Sequence, residues 1–178
     1  MNKRASALAI DPAPLDRQPI AIPPERYRAV LGHLPTGVTV LTAFGADGLA
    51  GMAANSVTSL SLDPPLVLVC PARSSVTWPD IRQAGRFCVN VLGNHHAALC
   101  RQFAAKGGDR FSGVSWHERA GGPGIDDAIA WIDVELSEEH DGGDHTIVVA
   151  RVLSLEAAEG RQPLVFFRGR YGNFGAVP

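Results

Sequence analysis

The sequence predicts a mainly β domain, built as a closed antiparallel β-barrel with a few helices. Many apolar or β-branched runs are separated by short glycine-rich turns, whereas only two or three segments have helical spacing. No Gly-x-Gly-x-x-Gly segment follows the first strand-like run, and neither a Walker loop nor an internal repeat is visible. These observations disfavour a Rossmann or P-loop nucleotide site.

The chain begins with a segment, residues 1–23, in which prolines and charged residues interrupt every short apolar piece. It matches neither a signal peptide nor a membrane span, and we expect a flexible N-terminal arm, available to pack on a partner subunit. Residues 24–178 are predicted to form one domain with a single core. Its first helix follows Pro23-Pro24 and has an apolar face: Tyr27, Val30, Leu31 and Leu34.

The middle of the chain alternates strands with helical segments. Core strands are predicted where β-branched or apolar runs are bounded by glycine and proline: 38–44, 66–70 and 87–92. Between the last two, residues 75–85 are expected to form a helical turn. A second helix is predicted at 95–106, because apolar residues recur with helical spacing before Gly107-Gly108 stops it.

The C-terminal third predicts a long hairpin. Strand-like runs at 130–138 and 146–157 flank an expected loop at 140–144, and a shorter strand follows at 164–168. With these runs the predicted elements are mainly strands.

Charge and cysteine content limit the partners and the compartment. The net charge of −2 and the lack of a Lys/Arg-rich run make nucleic acid and anionic membranes poor partners, so small molecules and proteins are favoured. Three cysteines without metal-like spacing favour a reducing cytoplasm. His95, His96 and Cys100 lack a fourth ligand at a recognised spacing, and no metal site is expected.

Two short stretches carry most of the functional signal. Residues 51–66 concentrate Asn, Ser and Thr in a small-residue segment, so backbone N–H groups and short hydroxyls can approach a flat polar ligand. Downstream, Gly143-Asp144-His145 places an ionisable ring in a glycine-rich turn before an apolar run, a suitable place to meet a dinucleotide. Together they predict a redox site. The lack of a nucleophile–base constellation argues against a hydrolase.

These two stretches and three further motifs resemble the short-chain NAD(P)H:flavin reductases, the reductase components of two-component flavin monooxygenases. The others are PTGVTVLT at 35–42, FAAKGGDRF at 103–111 and PLVFFRGRYG at 163–172, and the resemblance covers about residues 24–175. It implies an FMN-binding split β-barrel of Greek-key antiparallel topology, usually a homodimer. Such a protein reduces free FMN or FAD with NADH or NADPH and hands the flavin to a monooxygenase. We expect NADH to be preferred.

The resemblance implies a flavin lining of small and polar residues: Thr36, Thr39, Ala53, Ala54, Asn55, Ser56, Thr58 and Ser59. Hydrogen bonds from such groups stabilise a reduced ring, and small side chains leave one flavin face open. Taken alone, the segment favours an ordinary serine-rich strand and turn. Together with the other four motifs, the segment instead favours a flavin lining.

Two groups of residues are candidates for binding phosphate. Hydroxyls and N–H groups precede the expected helical turn at Arg73, Ser74, Ser75 and Thr77, and helix capping explains them equally well. Lys106 and Arg110 form a basic pair that suits the flavin phosphate, with Phe103 or Phe111 covering the ring. A solvated helix end with a buried phenylalanine is the alternative, of equal weight.

His145 is the predicted nicotinamide contact and the catalytic candidate, acting by positioning and not as a general base. The resemblance associates the histidine of Gly-Asp-His with NAD(P)H binding, and Asp144 would orient the ring. Without that motif an ordinary turn histidine would be the default. Tyr171 either closes over the flavin or the nicotinamide or packs against the last strand.

Two rival functions use similar residues. One is a split-barrel flavoprotein resembling the pyridoxamine phosphate oxidases, which retains FMN and turns over its own substrate; the Gly-Asp-His motif argues against it. The other is a flavin-binding dimer without turnover, because a small-residue pocket does not establish that nicotinamide reaches the flavin. The choice between FAD and FMN stays open, as does NADH against NADPH.

Overall fold

The computed structural model describes residues 21–176 and contains three α-helices and twelve strands in that range. The helices are α1 (Pro24–Leu31), α2 (Trp78–Ala84) and α3 (Ala97–Ala104), with a 3-10 turn at Asn94–His96 before α3. The strands are β1 (Thr36–Gly37), β2 (Thr39–Gly45), β3 (Gly48–Ala54), β4 (Val57–Leu62), β5 (Pro65–Val69), β6 (Arg86–Val91), β7 (Trp116–Glu118), β8 (Pro123–Ile125), β9 (Ala130–Gly142), β10 (His145–Ala157), β11 (Leu164–Phe167) and β12 (Arg170–Asn173).

A seven-stranded antiparallel sheet closes into a split barrel. Its strand order is β3-β2-β6-β9-β10-β5-β4, and its two edge strands, β3 and β4, are joined by only Asn55-Ser56. The edges therefore meet at this two-residue connection, although no backbone ladder joins β3 to β4 among residues 21–176. The predicted mainly β, antiparallel barrel is confirmed.

The connections follow a Greek-key path. The chain runs through the paired strands β2 and β3 and then through the paired strands β4 and β5. It crosses the barrel through α2 and returns as β6 beside β2. Two smaller sheets, β1-β11-β12 and β7-β8, lie outside the barrel sheet. The predicted strands at 38–44, 66–70, 87–92 and 164–168 are observed within one or two residues of the expected bounds.

Strand β2 is covered on both faces, which explains its continuous apolar sequence. Leu41 and Ala43 belong to the barrel core, together with Phe87 and Val134. The alternate residue Val40 belongs to a second core cluster, in which Cys100 and Phe103 of α3 pack on the barrel. Alternation with period two thus places successive side chains in two different cores.

Three details differ from the sequence-based expectation or fall outside it. The predicted loop at 140–144 is a two-residue turn, Gly143-Asp144, because β9 and β10 stay paired up to Gly142 and His145. Helix α1 is present as predicted, but none of its residues is buried. The expected N-terminal arm lies outside the described residues apart from 21–23, which are exposed. No helix within residues 21–176 has the length and apolar content needed to cross a membrane.

Candidate functional site

An open cleft lies beside the split between β3 and β4. One wall is the end of β3, and the opposite walls come from α3 and from the β11–β12 hairpin. The lining residues are Val38, Ala53, Ala54, Asn55, Cys100, Ala104, Phe166 and Tyr171. We refer to this open cleft as the β3 cleft.

The sequence-predicted residues Ala53, Ala54 and Asn55 line this cleft, as does Tyr171. Sequence analysis missed Val38, Cys100, Ala104 and Phe166. Two of these could have been recognised, because Cys100 and Ala104 are four residues apart and share a face of α3. Phe166 lies within the PLVFFRGRYG motif, but nothing local in that motif says which phenylalanine faces the cleft.

The two threonines of PTGVT have different environments. The Thr39 hydroxyl is buried and donates to the Ala54 carbonyl at 2.7 Å, so it ties β2 to β3 and is not free for a ligand, contrary to its expected lining role. The Thr36 hydroxyl is buried without a hydrogen-bond partner among the described residues. Thr36 pairs with Phe166, a cleft residue. A buried hydroxyl without a partner costs about 1 to 3 kcal/mol, which favours a ligand or water there.

Three further polar residues follow Asn55 on the rim of the barrel. Ser56, Thr58 and Ser59 are all exposed, but they do not line the β3 cleft. The Ser56 carbonyl accepts the Cys70 N–H at 3.0 Å, which fixes the backbone at the start of β4. Their hydroxyls face solvent at the edge strand, where a ligand larger than the cleft would meet them.

Tyr171 is part of a packed wall. Its hydroxyl donates to Cys100 Sγ at 3.1 Å, and its ring lies 5.6 Å from that of Phe166, measured between centroids. Burial, and then the hydrogen bond with Cys100, raise the pKa of Tyr171 to about 12. These contacts match the core-packing alternative, and the phenol is neutral at physiological pH.

Arg110 occupies a second cleft, formed by the start of α2 and the glycine-rich loop after α3. Its guanidinium donates to the carbonyls of Ala105 and Gly51 and to the Thr77 hydroxyl, with 2.8 Å to Gly51. No carboxylate pairs with it among the described residues. The Arg110 charge is thus not ion-paired, but Asp80 and Asp109 also line the cleft, so the cleft does not carry the net positive charge that the phosphate prediction assumes. Lys106 is an exposed residue that does not line it.

Phe103 does not cover a ligand. It is 1% exposed, and its ring meets Phe111 edge to face at 5.1 Å between centroids. A Cβ added at Gly51 would lie 2.5 Å from Phe103 and 3.0 Å from Phe111, so only glycine permits this packing on β3. The prediction that Phe103 covers the ring is wrong, and the buried-phenylalanine alternative applies to it. Phe111 is half-buried and lines the Arg110 cleft.

The segment before α2 caps the helix. The Ser75 hydroxyl accepts the N–H groups of Thr77 and Trp78 at 3.3 and 3.1 Å, a local serine turn that satisfies the first N–H of the helix, whereas the N-cap residue Thr77 makes no side-chain cap hydrogen bond. Ser74 is exposed. Arg73 pairs with Asp141 at 2.8 Å, so its charge is compensated at the tip of the β9–β10 hairpin.

His145 begins β10, next to the Gly143-Asp144 turn. Its Nδ1 lies 2.7 Å from Asp144 Oδ1, which is the orienting contact expected from the sequence. The hydrogen bond with His145 holds the pKa of the Asp144 carboxyl below its usual range. The His145 side chain is 42% exposed, so the ring can reach a bound molecule.

The barrel places His145 and the Asn55-Ser56 connection at the same end. Ser56 is hydrogen-bonded to Cys70, and Ala72, two residues further along, pairs with His145 as an antiparallel bridge. Residues 70–72 therefore lie between Ser56 and His145 in the sheet, one strand from each.

The comparisons with known proteins identify the family. The family model described as "Flavin reductase like domain" matches residues 31–175. A flavin reductase of Pseudomonas putida is 46% identical over 159 residues, which are 88% of this chain and 94% of that protein. The reductase subunit of a flavin-dependent monooxygenase from Rhodococcus jostii is 43% identical over 152 residues, or 85% of this chain and 78% of its own length.

A solved structure supports the same relationship. The NADH:FAD oxidoreductase of Streptomyces globisporus, in complex with NAD and FAD fragments, is 37% identical and superposes with a TM-score of 0.80. The match covers 85% of this chain and 92% of that one. The family resemblance drawn from the five motifs is confirmed by these matches, and the chain belongs to the flavin reductase-like family.

Proposed function

We propose that the protein is an NADH-dependent flavin reductase that reduces free FAD or FMN and releases the reduced flavin to a separate flavin-dependent monooxygenase. The observation that carries this proposal is that His145 and the Asn55-Ser56 connection, which borders the β3 cleft, lie at the same end of the sheet on either side of residues 70–72. One residue available to a nicotinamide thereby lies beside a small-residue wall that suits a flavin. NADPH is the alternative reductant.

The bound nucleotides supply the hydride transfer itself, so the chain has only to bind and align them. Ala53 and Ala54 offer a flat wall without bulky side chains, and Asn55 offers amide hydrogen bonds at its end. Arg110 is the cation offered to the flavin phosphate, beside the carboxylates Asp80 and Asp109, and Asp144 orients the ring of His145.

Reduced flavin is oxidised by O₂, and an open cleft suits its quick release to a partner enzyme. We therefore expect modest flavin affinity. The three cysteines carry free thiols, which fits a reducing compartment such as the cytoplasm. The exposed apolar face of α1 supports a homodimer.

The test is to mix the purified protein with NADH and excess FAD or FMN in air and to follow the NADH absorbance. Rapid loss of NADH, with flavin recovered free after gel filtration, is expected. His145→Ala should raise the KM for NADH far more than the KM for flavin, because the ring contacts only the nicotinamide. A protein that stays yellow and does not oxidise NADH would instead be a flavin-retaining or non-catalytic flavin binder, and unchanged NADH kinetics would remove His145 from the site.

A further inference from the structure

Arg73 contacts the Gly143-Asp144 turn at three points. Its Nη2 pairs with Asp141 Oδ1 at 2.8 Å, and its Nε donates to the His145 carbonyl at 3.4 Å. Its backbone N–H donates to the Asp144 carbonyl at 2.9 Å. Both the side chain and the main chain of this one residue therefore hold the turn that carries His145.

The backbone around Arg73 extends this contact. Ala72 pairs with His145, and the Thr146 N–H donates to the Pro71 carbonyl at 3.0 Å. On the other side of the turn, Asp141 Oδ1 also accepts the Gly143 N–H at 2.8 Å. Asp141 thus joins the Arg73 guanidinium to the turn backbone, and the start of β10 is held between β9 and residues 71–73.

The same segment also contacts β3 and the start of β4. Two residues after Arg73, the Ser75 hydroxyl donates to Met52 Sδ of β3 at 3.6 Å, on the barrel-core side of that strand. Three residues before Arg73, Cys70 is bonded to Ser56. Residues 70–75 therefore connect the two parts of the site along one short stretch of backbone.

We propose that Arg73 is a positioning residue that sets the place of His145 relative to the β3 cleft, through its ion pair with Asp141. The proposal rests on the proposed function, since His145 is taken to contact the nicotinamide. It replaces the expected role of Arg73 in phosphate binding, because its charge is already paired. The pair is open to solvent, with side-chain exposures of 53% and 78%, so it contributes little to global stability. Its effect is local, on the order of the turn.

The direct test is the kinetics of Arg73→Ala and Asp141→Asn with NADH and FMN. Each is expected to raise the KM for NADH roughly three- to tenfold and to leave the KM for flavin unchanged, because the histidine loses its fixed place. Arg73→Ala combined with His145→Ala should be no worse than His145→Ala alone, since Arg73 acts through that ring. Additive losses in the double variant would overturn the proposal.

Asp141→Asn separates positioning from phosphate binding. If Arg73 were a phosphate ligand, this change would free its guanidinium and strengthen the binding of FMN without affecting riboflavin, which has no phosphate. Positioning predicts weaker use of NADH with either flavin. Arg86→Ala is the matched control, because Arg86 is an arginine of similar exposure, 57%, paired at 2.9 Å with Glu135 in the other half of β9. Its KM for NADH should match that of the wild type.

Hydrogen exchange without flavin or NADH separates this proposal from the proposed function. The amides of residues 143–146 should exchange faster in Arg73→Ala and Asp141→Asn and at the wild-type rate in Arg86→Ala. If the wild type has no reductase activity but the two variants still exchange faster than it does, the proposed function is refuted and the ordering contact stands. If the wild type is an active reductase but the two variants have unchanged exchange and an unchanged KM for NADH, only the positioning role is refuted.

Discussion

His96 is a half-buried histidine whose surroundings favour the neutral ring. Its Nδ1 accepts a hydrogen bond from the Gly93 N–H at 3.3 Å, which requires that nitrogen to carry no proton. The ring of His95 lies 3.9 Å away, measured between centroids. Burial, and then the neighbouring His95, lower the pKa of His96 to about 4.

This pKa predicts a loss of stability in acid. An unfolded histidine titrates near 6.5, so between about pH 6.5 and pH 4 the unfolded chain binds the proton more readily than the folded one. The free energy of unfolding should therefore fall as pH falls through this window. After allowance for solvent screening of a half-exposed ring, we expect a difference of about 1 to 2 kcal/mol from this residue.

Urea unfolding of the wild type and of His96→Gln, compared near neutral pH and near pH 4.5, checks this expectation. Glutamine removes the titrating group and keeps an acceptor for the Gly93 N–H. The variant should lose less unfolding free energy on acidification than the wild type does. Equal losses would show that His96 does not titrate differently in the two states.

At the scale of elements, buried hydrogen bonds fasten the β7–β8 ribbon to the barrel. The Asn90 side chain donates to the Thr42 hydroxyl at 2.9 Å and accepts the Ile125 N–H of β8 at 2.7 Å. The Thr42 hydroxyl in turn donates to the Pro123 carbonyl at 2.6 Å. Asn90 and Thr42 are fully buried, so water cannot replace a hydrogen bond that is lost from this network.

Asn90→Leu tests this network. The change keeps the number and branching of side-chain heavy atoms but leaves the Ile125 N–H without its acceptor, and we expect a loss of about 2 to 4 kcal/mol in unfolding free energy, measured in urea. Asn173→Leu, at an exposed position of β12, is the control and should change stability by about 0.5 kcal/mol or less. Equal stability of the two variants would contradict a structural role for the Asn90 contacts.

At the scale of the whole molecule, α1 presents an apolar face that nothing covers within residues 21–176. Tyr27, Val30 and Leu34 are 56%, 60% and 63% exposed, and Leu31 is 40% exposed. An isolated helix of eight residues is too short to be stable in water, so it needs packing on one face. We propose that a second copy of the chain covers this face.

Light scattering after size-exclusion chromatography measures the mass in solution. The wild type is expected to elute as a homodimer, and Val30→Asp should shift it toward the monomer, because a charge in an apolar interface is not compensated. Ala29→Asp places the same charge on the opposite face of α1 and should leave the dimer intact. A monomeric wild type, or two variants with the same mass, would refute this role of α1.

Much of the architecture was predictable because it depends on local patterns. Runs of β-branched residues between glycines predicted the core strands, and the apolar spacing after Pro23-Pro24 predicted α1. The site residues that were predictable are those on one continuous stretch, such as Ala53 to Asn55, since neighbours in a strand share a wall. Five motifs in order were enough to identify the family.

What the sequence determined by itself was the class of fold, the family and the two stretches that carry the site. Only the tertiary structure decided that Arg73 pairs with Asp141, 68 residues away, and that Phe103 packs inside on Gly51. The physical reason is that periodicity records which face of an element is apolar, whereas the partner of a side chain depends on which strands the barrel brings together. The pairing of β4, β5 and β10, absent from any local pattern, brings His145 and Asn55-Ser56 to the same end of the sheet.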